Sequence, residues 1–136
     1  MEPYCDFKYY TDVYKGKEIP ETDFYSLSLR ASMKIREQTF GRADNTSEIA
    51  NEAVKLCTCF LIDKTKEYDD LKEASKKQNN VKSESLGKWS KTFENKTVKE
   101  LDEELEVEAY KIIRTQLANY EDDNGTPLLY RGCYDV

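Results

Sequence analysis

The sequence contains no histidine among its 136 residues, and this absence removes several kinds of chemistry. Without an imidazole the chain can form neither a Ser-His-Asp nor a Cys-His catalytic arrangement, and it cannot bind zinc or iron through histidine. No CxxC pair occurs, and on the predicted helix Cys57 and Cys59 point in different directions. We therefore expect reduced thiols, no metal and no cofactor. A zinc site built from all four cysteines, Cys5, Cys57, Cys59 and Cys133, is formally possible but has almost no support from their spacing.

Glycine-rich loops and long apolar runs are also missing. The five glycines are isolated from one another, which excludes a phosphate-binding loop. No apolar run reaches the length of a membrane-spanning helix, and the first residues lack the basic and then apolar pattern of a secretory signal. We therefore expect a soluble protein that is assembled inside a cell and has no membrane partner. Its length fits a single domain over residues 1–136.

Basic side chains are fewer than acidic ones, 21 against 27, and the imbalance lies in one part of the chain. The formal net charge is -6. Residues 97–136 carry four basic and ten acidic side chains, so this third of the chain accounts for the whole surplus. A protein that grips nucleic acid needs a basic surface, because the release of counterions drives that association. The charge therefore argues against sequence-specific nucleic-acid binding as the main task.

Apolar periodicity predicts a mainly α fold, a small helical bundle of three main helices with a short β-hairpin and an extended C-terminal tail. The first helix is predicted at about 21–39, with Gly41 as its left-handed cap. The second is predicted from Asn45 to about residue 75, and at roughly 45 Å it would project beyond a compact domain of this size. The third begins at a capping box, Thr97 to Glu100, and runs to about residue 119. A short helical turn that ends at Gly16 precedes them.

Two further segments are predicted to need a neighbour. Trp89 and Phe93 alternate with polar residues at the period of a strand, which predicts a short hairpin that is too small to be stable by itself. The segment that begins at Pro127 is too apolar to be a free end, so we expect it to be docked. A lone tryptophan usually caps a core, but its position in this hairpin favours contact with another subunit.

The acidic residues of the third helix and the tyrosines near the N-terminus each allow two interpretations. Carboxylates at 100–108 could serve a metal or an acid, yet helical spacing scatters them around the surface, so a solvated face is favoured. A negative surface that repels passing nucleic acid is a third possibility. The tyrosines could stack on bases, but the segment is not basic, so packing in a core or interface is favoured.

Four sequence segments together resemble a known family. They are Thr39-Phe40-Gly41-Arg42, Ala53-Val54-Lys55-Leu56-Cys57, Ser83-Glu84-Ser85-Leu86-Gly87-Lys88-Trp89-Ser90 and Leu128-Leu129-Tyr130-Arg131-Gly132-Cys133. In this order and helical setting the chain resembles the head–tail connector proteins (adaptor or head-completion proteins) of tailed bacteriophages and of prophages in Gram-positive hosts. The resemblance covers nearly the whole chain, although residues 64–80 match no motif.

The resemblance implies a structural virion protein without catalytic residues. Such a protein would be made in the host cytoplasm and would form a ring of identical copies beneath the portal protein, at the head–tail junction. The ring would extend the DNA channel and bind a stopper or tail-completion protein below. Contact roles would fall in the hairpin on Leu86, Gly87, Trp89 and Phe93, and in the tail on Leu128, Leu129, Tyr130 and Arg131. We also hypothesise that Glu103, Glu104 and Glu106 line the channel, where they would limit adhesion of DNA.

Two other function classes stay open at this point. The chain could be a small non-enzymatic regulatory or adaptor module that binds a host protein through its tail or hairpin. A remote alternative is an enzyme that uses carboxylates and a divalent metal.

Overall fold

The computed structural model describes the backbone of residues 2–80 and 97–131, and the side chains of residues 2–76 and 97–131. The fold is mainly α, as predicted, and is built on three long helices: α1 over Glu21–Gln38, α2 over Glu48–Asn80 and α3 over Val98–Leu117. A short π-helix, Tyr9–Val13, precedes α1, and a 3-10 turn, Arg42–Asp44, separates α1 from α2.

Helix α1 buries the stripe that its sequence predicts, and it ends in two left-handed residues. Phe24, Leu27, Ala31 and Ile35 all face the core. At its end the N–H of Phe40 donates to the Glu37 carbonyl (3.3 Å), and the N–H of Gly41 donates to the Arg36 carbonyl (2.9 Å), which is a Schellman motif. The predicted cap, Gly41, has a φ of 79°, but the left-handed backbone begins one residue earlier, at Phe40 with a φ of 56°. This conformation costs a bulky residue roughly 1–2 kcal/mol.

Helix α2 begins at Glu48, so the prediction of a start at Asn45 is wrong by three residues. Ser47 is the capping residue, because its Oγ accepts from the N–H of Ala50 at 3.5 Å. Asn45 lies before the helix and binds the segment after α3: its carbonyl accepts from the N–H of Asp123 at 2.8 Å. The helix has 33 residues and is about 50 Å long, so it also includes residues 64–80.

Helix α3 begins as predicted. The Thr97 Oγ1 accepts from the N–H of Glu100, and the Glu100 carboxylate accepts from the N–H of Thr97, both at 3.1 Å. This reciprocal capping box fixes the first turn. One face of α3 is buried every fourth residue, and the side chains on that face are Leu101, Leu105, Ala109, Ile113 and Leu117.

The buried side chains form two groups. The main core joins the N-terminal segment, α1, α2, the second half of α3 and the C-terminal segment; Phe24, Leu61 and Ile113 are among its members. The distal cluster consists of Tyr68, Leu71, Leu101 and Leu105, contributed by α2 and α3. An antiparallel bridge between Thr46 and Asp122 attaches the segment after α3 to the residues just before α2, and a second bridge, between Glu121 and Pro127, closes the turn within that segment. The predicted hairpin, with Leu86, Gly87, Trp89 and Phe93, lies outside the described residues.

Candidate interaction surfaces

The C-terminal segment folds back onto its own chain, and Arg42 holds it there. An Asx turn at Asp122, whose carboxylate accepts from the N–H groups of Asn124 and Thr126 (both 2.9 Å), reverses the chain after α3. The Arg42 guanidinium then donates to the carbonyl of Leu128 from Nη2 at 3.2 Å and from Nε at 3.3 Å. It also donates to the carbonyl of Tyr130. A planar guanidinium can serve two acceptors in this way, so one side chain fixes the three residues of backbone from Leu128 to Tyr130.

This docking corrects the expected role of Leu128. Its side chain is 0% exposed and belongs to the main core, so it is not free to contact the portal or a neighbouring copy. Leu129 is half-buried and packs against the same core. Tyr130 is half-buried and Arg131 is exposed, so the outer surface of the docked tail is formed at these two residues. The tail is docked, as expected, but its most apolar residue is buried within its own chain.

The docked tail helps to form a surface around Phe40. The Phe40 side chain is 55% exposed, and the guanidinium groups of Arg42 and Arg131 lie 5.2 and 5.7 Å from the centroid of its ring. Arg131 also donates to the Gln38 side-chain oxygen at 3.2 Å. Cation–π contacts of this kind favour a fixed arrangement of the aromatic ring and both arginines. A groove of about 670 Å³ adjoins it, lined by Leu29, Met33, Arg36, Glu37, Phe40 and Gly41.

The three glutamates that we expect in a channel lining occupy different environments. Glu104 is half-buried between α2 and α3, where it accepts from the hydroxyl of Tyr68 at 2.8 Å. Glu106 forms an ion pair with Lys34 of α1. Glu103 is exposed and lies on a groove between α1 and α3. Glu104 serves the packing of the bundle, so the channel hypothesis continues with Glu103 and Glu106.

Near Glu103, the outer face of α3 also carries exposed apolar side chains. Val107 and Tyr110 are 54% and 38% exposed. The guanidinium of Arg114 lies 5.6 Å from the centroid of the Tyr110 ring. This face therefore combines apolar side chains with both an acidic residue, Glu103, and a basic one, Arg114, whereas the two charged groups against Phe40 are both arginines.

Tyrosines of the N-terminal segment are directed at carboxylates of the same chain. Tyr10 is 0% exposed, and its hydroxyl and that of Tyr14 donate to the two oxygens of Asp63 at 2.5 and 2.7 Å. Burial, and then the hydrogen bond to Asp63, raises the pKa of both phenols well above its usual value. Tyr4 and Tyr9 form similar bonds, to Asp44 and Glu52, both at 2.5 Å. This confirms the packing interpretation for Tyr10.

Gly16 is required by that packing. A Cβ atom at this position would lie 2.2 Å from the ring of Tyr10, a distance that no side chain could tolerate without displacing the tyrosine. The predicted break at Gly16 is therefore the point at which the backbone passes over a buried aromatic ring.

Sequence reasoning assigned no role to Arg42 or Asp63. Arg42 belongs to the Thr39-Phe40-Gly41-Arg42 segment that resembles the connector family, but the sequence gives no sign that its guanidinium binds the carbonyls of Leu128 and Tyr130. Asp63 follows the apolar residues Phe60, Leu61 and Ile62 on α2. A carboxylate that comes directly after buried apolar residues on a helix indicates that the fold supplies it with a hydrogen-bond donor. Here the donors are the hydroxyls of Tyr10 and Tyr14.

No constellation suited to metal binding is present in residues 2–80 and 97–131, since no group of three or more His, Cys, Asp or Glu side chains is placed to hold an ion. Within the same ranges, no helix is both long and apolar enough to cross a membrane. Comparisons with known protein families, curated proteins and solved structures found no match.

Proposed function

We propose that this protein is a structural ring component of a bacteriophage head–tail connector, which binds beneath the portal protein and extends the DNA channel. The proposal begins from the resemblance of the Ser83–Ser90 and Leu128–Cys133 segments to that family. It gains support from the surface of the protomer.

The observation that carries the proposal is the presence of two unlike apolar surfaces on one protomer. A ring requires heterologous contacts, in which one surface of a copy meets a different surface of the next. The surface around Phe40 has Arg42 and Arg131 at its edge. The outer face of α3 has the exposed Glu103 one helical turn before Val107, and Arg114 against Tyr110. The acidic part of the α3 face, at Glu103, is complementary in charge to the arginines around Phe40, and this favours contact between the two surfaces.

The docked tail and the long helix fit the same proposal. Arg131 is presented on the surface by the Arg42 contact, so a tail motif of the family contributes to the surface around Phe40. Helix α2, at about 50 Å, is longer than α1 and α3, which are about 27 and 30 Å long. A ring subunit needs elements that extend past its own core to reach the layers above and below it.

Electron microscopy of the protein mixed with its portal protein tests the proposal. We expect a second ring stacked on the portal in the mixture. A monomer that shows no binding to the portal, in microscopy and in light scattering, would contradict the proposal and favour the alternative of a module that binds a host protein.

A pair of aromatic substitutions tests the contact surface. Phe40→Ala should weaken ring formation at least tenfold, because it removes the centre of one surface. Tyr25→Ala is the matched control, because Tyr25 is exposed to a similar extent, 58% against 55% for Phe40, and lies near the start of α1, away from the groove beside Phe40. Equal losses in the two variants would remove the assignment of this surface.

Charge reversal tests the channel hypothesis. Glu103→Lys places a cation where the proposal expects the channel, so DNA exit from assembled particles should slow. Glu18→Lys, an equal change of charge at an exposed position in the loop before α1, is the control. DNA ejection at the normal rate from Glu103→Lys particles would exclude Glu103 from the channel.

A further inference from the structure

Two cysteines that are far apart in the sequence meet in the main core. Cys5 lies in the N-terminal segment and Cys59 on α2, and their Sγ atoms are 3.4 Å apart. The two side chains are 1% and 0% exposed. The contact bridges 54 positions of sequence, so the fold, rather than local chain geometry, brings the sulfurs together.

The other buried cysteine is placed differently. Cys57 is two residues from Cys59 on the same helix, so the two side chains leave α2 in different directions. Its side chain is 0% exposed, and burial raises its pKa to about 12. Among the described side chains, Cys5 and Cys59 are the cysteines whose sulfurs are in contact.

We propose that Cys5 and Cys59 are a site of reversible oxidation, at which a small-molecule disulfide converts the two thiols into one intramolecular disulfide. The thiolate of one cysteine attacks a sulfur of the oxidant, which forms a mixed disulfide and releases one small thiol. The thiolate of the second cysteine then attacks the protein sulfur of that mixed disulfide, which releases the second small thiol. Two protein thiols are oxidised, one external disulfide is reduced, and the two protons pass to the released thiolates.

The contacts of the N-terminal segment control access to this site. Ser28 Oγ donates to the carbonyl of Cys5 at 2.7 Å, and the N–H of Tyr4 donates to Ser32 Oγ at 2.9 Å, so α1 holds the segment over the sulfurs. The hydrogen bond to Cys5, and then burial, raises the pKa of Cys59, which keeps its resting thiol protonated. The first attack therefore requires the N-terminal segment to open, and the completed disulfide would tie that segment covalently to α2.

The experiment uses the full chain with oxidised glutathione as the probe. Reduced, denatured protein is refolded in buffers of oxidised and reduced glutathione, and folded protein is treated in parallel. Remaining thiols are alkylated in denaturant, and peptides are identified by mass spectrometry. Trypsin leaves Cys57 and Cys59 on one peptide, so the map is made in parallel on a Cys57→Ala variant. We expect a linkage of Cys5 to Cys59, with Cys57 and Cys133 alkylated in the unsubstituted chain.

Thermal unfolding gives a second, independent readout. A cross-link that closes a loop of this length should raise the unfolding temperature of the oxidised protein by roughly 5–15 °C. Cys57→Ala should keep this shift, whereas Cys5→Ala should lose it. In folded protein, Tyr10→Phe, which removes the bond to Asp63, should speed oxidation several-fold because it loosens the N-terminal segment.

Three results would overturn the proposal. They are a linkage that involves Cys57 or Cys133 instead, four alkylatable thiols after refolding in oxidised glutathione, and an unfolding temperature that falls on oxidation. None of these measurements requires portal protein, so they test the oxidation site independently of the proposed function.

Discussion

The main core and the distal cluster are held together in different ways. The main core combines side chains from the N-terminal segment, all three helices and the C-terminal segment. The distal cluster combines four side chains from α2 and α3 and is surrounded by charge. Among the described residues, the polar contacts around it include Arg30 with Asp69, Lys34 with Glu106, Lys72 with Asp102, and Tyr68 with Glu104.

This difference has consequences for stability. Burial of apolar area contributes roughly 25 cal/mol per Å², whereas a partly exposed ion pair usually contributes less than about 1 kcal/mol. The hydrogen bonds that Arg30 donates to Asp69 raise the pKa of Arg30, but that pair is partly solvated, with 44% and 33% of the two side chains exposed. We therefore expect the distal end to open before the main core does.

The largest effect is expected from alkaline pH. Burial raises the pKa of five tyrosines, and a hydrogen bond to a carboxylate raises each of them further. Because the unfolded chain loses these protons near pH 10 while the folded chain keeps them, the contribution of the tyrosines to stability is complete below pH 10 and falls as the pH rises above it. The buried thiols of Cys57 and Cys59 add loss from about pH 9. Urea unfolding between pH 8 and 11.5, with absorbance at 295 nm to follow the tyrosines, measures the loss.

The same experiment compares the two regions. Tyr4, Tyr9, Tyr10 and Tyr14 belong to the end that contains the main core, and Tyr68 belongs to the distal cluster. Tyr68→Phe should therefore keep most of the alkaline loss. If Tyr68→Phe abolished it, the assignment of this effect to the N-terminal tyrosines would be wrong.

The next largest effect comes from one substitution made in each region. Leu61→Ala removes a side chain that is 1% exposed in the main core, and Leu71→Ala removes one that is 8% exposed in the distal cluster. We expect Leu61→Ala to lower the free energy of unfolding by about 3–5 kcal/mol and Leu71→Ala by about 2 kcal/mol. Urea denaturation measures both. A larger loss for Leu71→Ala would contradict the order of stability.

The two regions also differ in how much of them the sequence predicts. Signals that lie within one helix predict the structure correctly: the capping box from Thr97 to Glu100 begins α3, and the stripe from Phe24 to Ile35 is buried. Predictions failed where a distant partner decides the outcome. Helix α2 starts after Asn45 because Asp123 binds that carbonyl.

The candidate contact residues show the same limit. The family resemblance implies that Leu128 contacts the portal or a neighbouring copy. It is buried because Arg42, 86 positions earlier, binds its carbonyl. The meeting of Cys5 with Cys59, 54 positions apart, is likewise invisible in any local pattern. The hairpin contact residues stay a prediction, since they lie outside the described part of the chain.

A third prediction concerns the link between the main core and the tail. Arg42→Lys keeps the positive charge but lacks the planar fork that serves the carbonyls of Leu128 and Tyr130. We expect a loss of about 1.5–3 kcal/mol in the free energy of unfolding, with faster amide exchange at Leu128, whose N–H donates to the Tyr120 carbonyl at 2.9 Å. Arg36→Lys is the control, because its pair with Asp44 is exposed, and it should cost less than about 0.5 kcal/mol. Equal exchange rates at Leu128 in both variants would show that the tail does not depend on Arg42.

The smallest effect is expected from a single ion pair at the distal end. The Lys72 side chain is 17% exposed and pairs with Asp102 of α3, so Lys72→Met removes a contact between two helices and costs about 0.5–1 kcal/mol. Lys111→Met is its match, because Lys111 is 64% exposed and pairs only along its own helix, with Glu108 at 3.4 Å; it should cost close to nothing. Urea unfolding at 0.1 and 1 M salt measures the free energy of unfolding of both variants. The difference between the variants should be smaller at 1 M salt, because salt screens the attraction between Lys72 and the exposed carboxylate of Asp102. If Lys111→Met lowered the free energy of unfolding as much as Lys72→Met, the ion pairs would stabilise each helix separately and not the contact between helices. The distal end would then be no more dependent on charge between helices than the main core is.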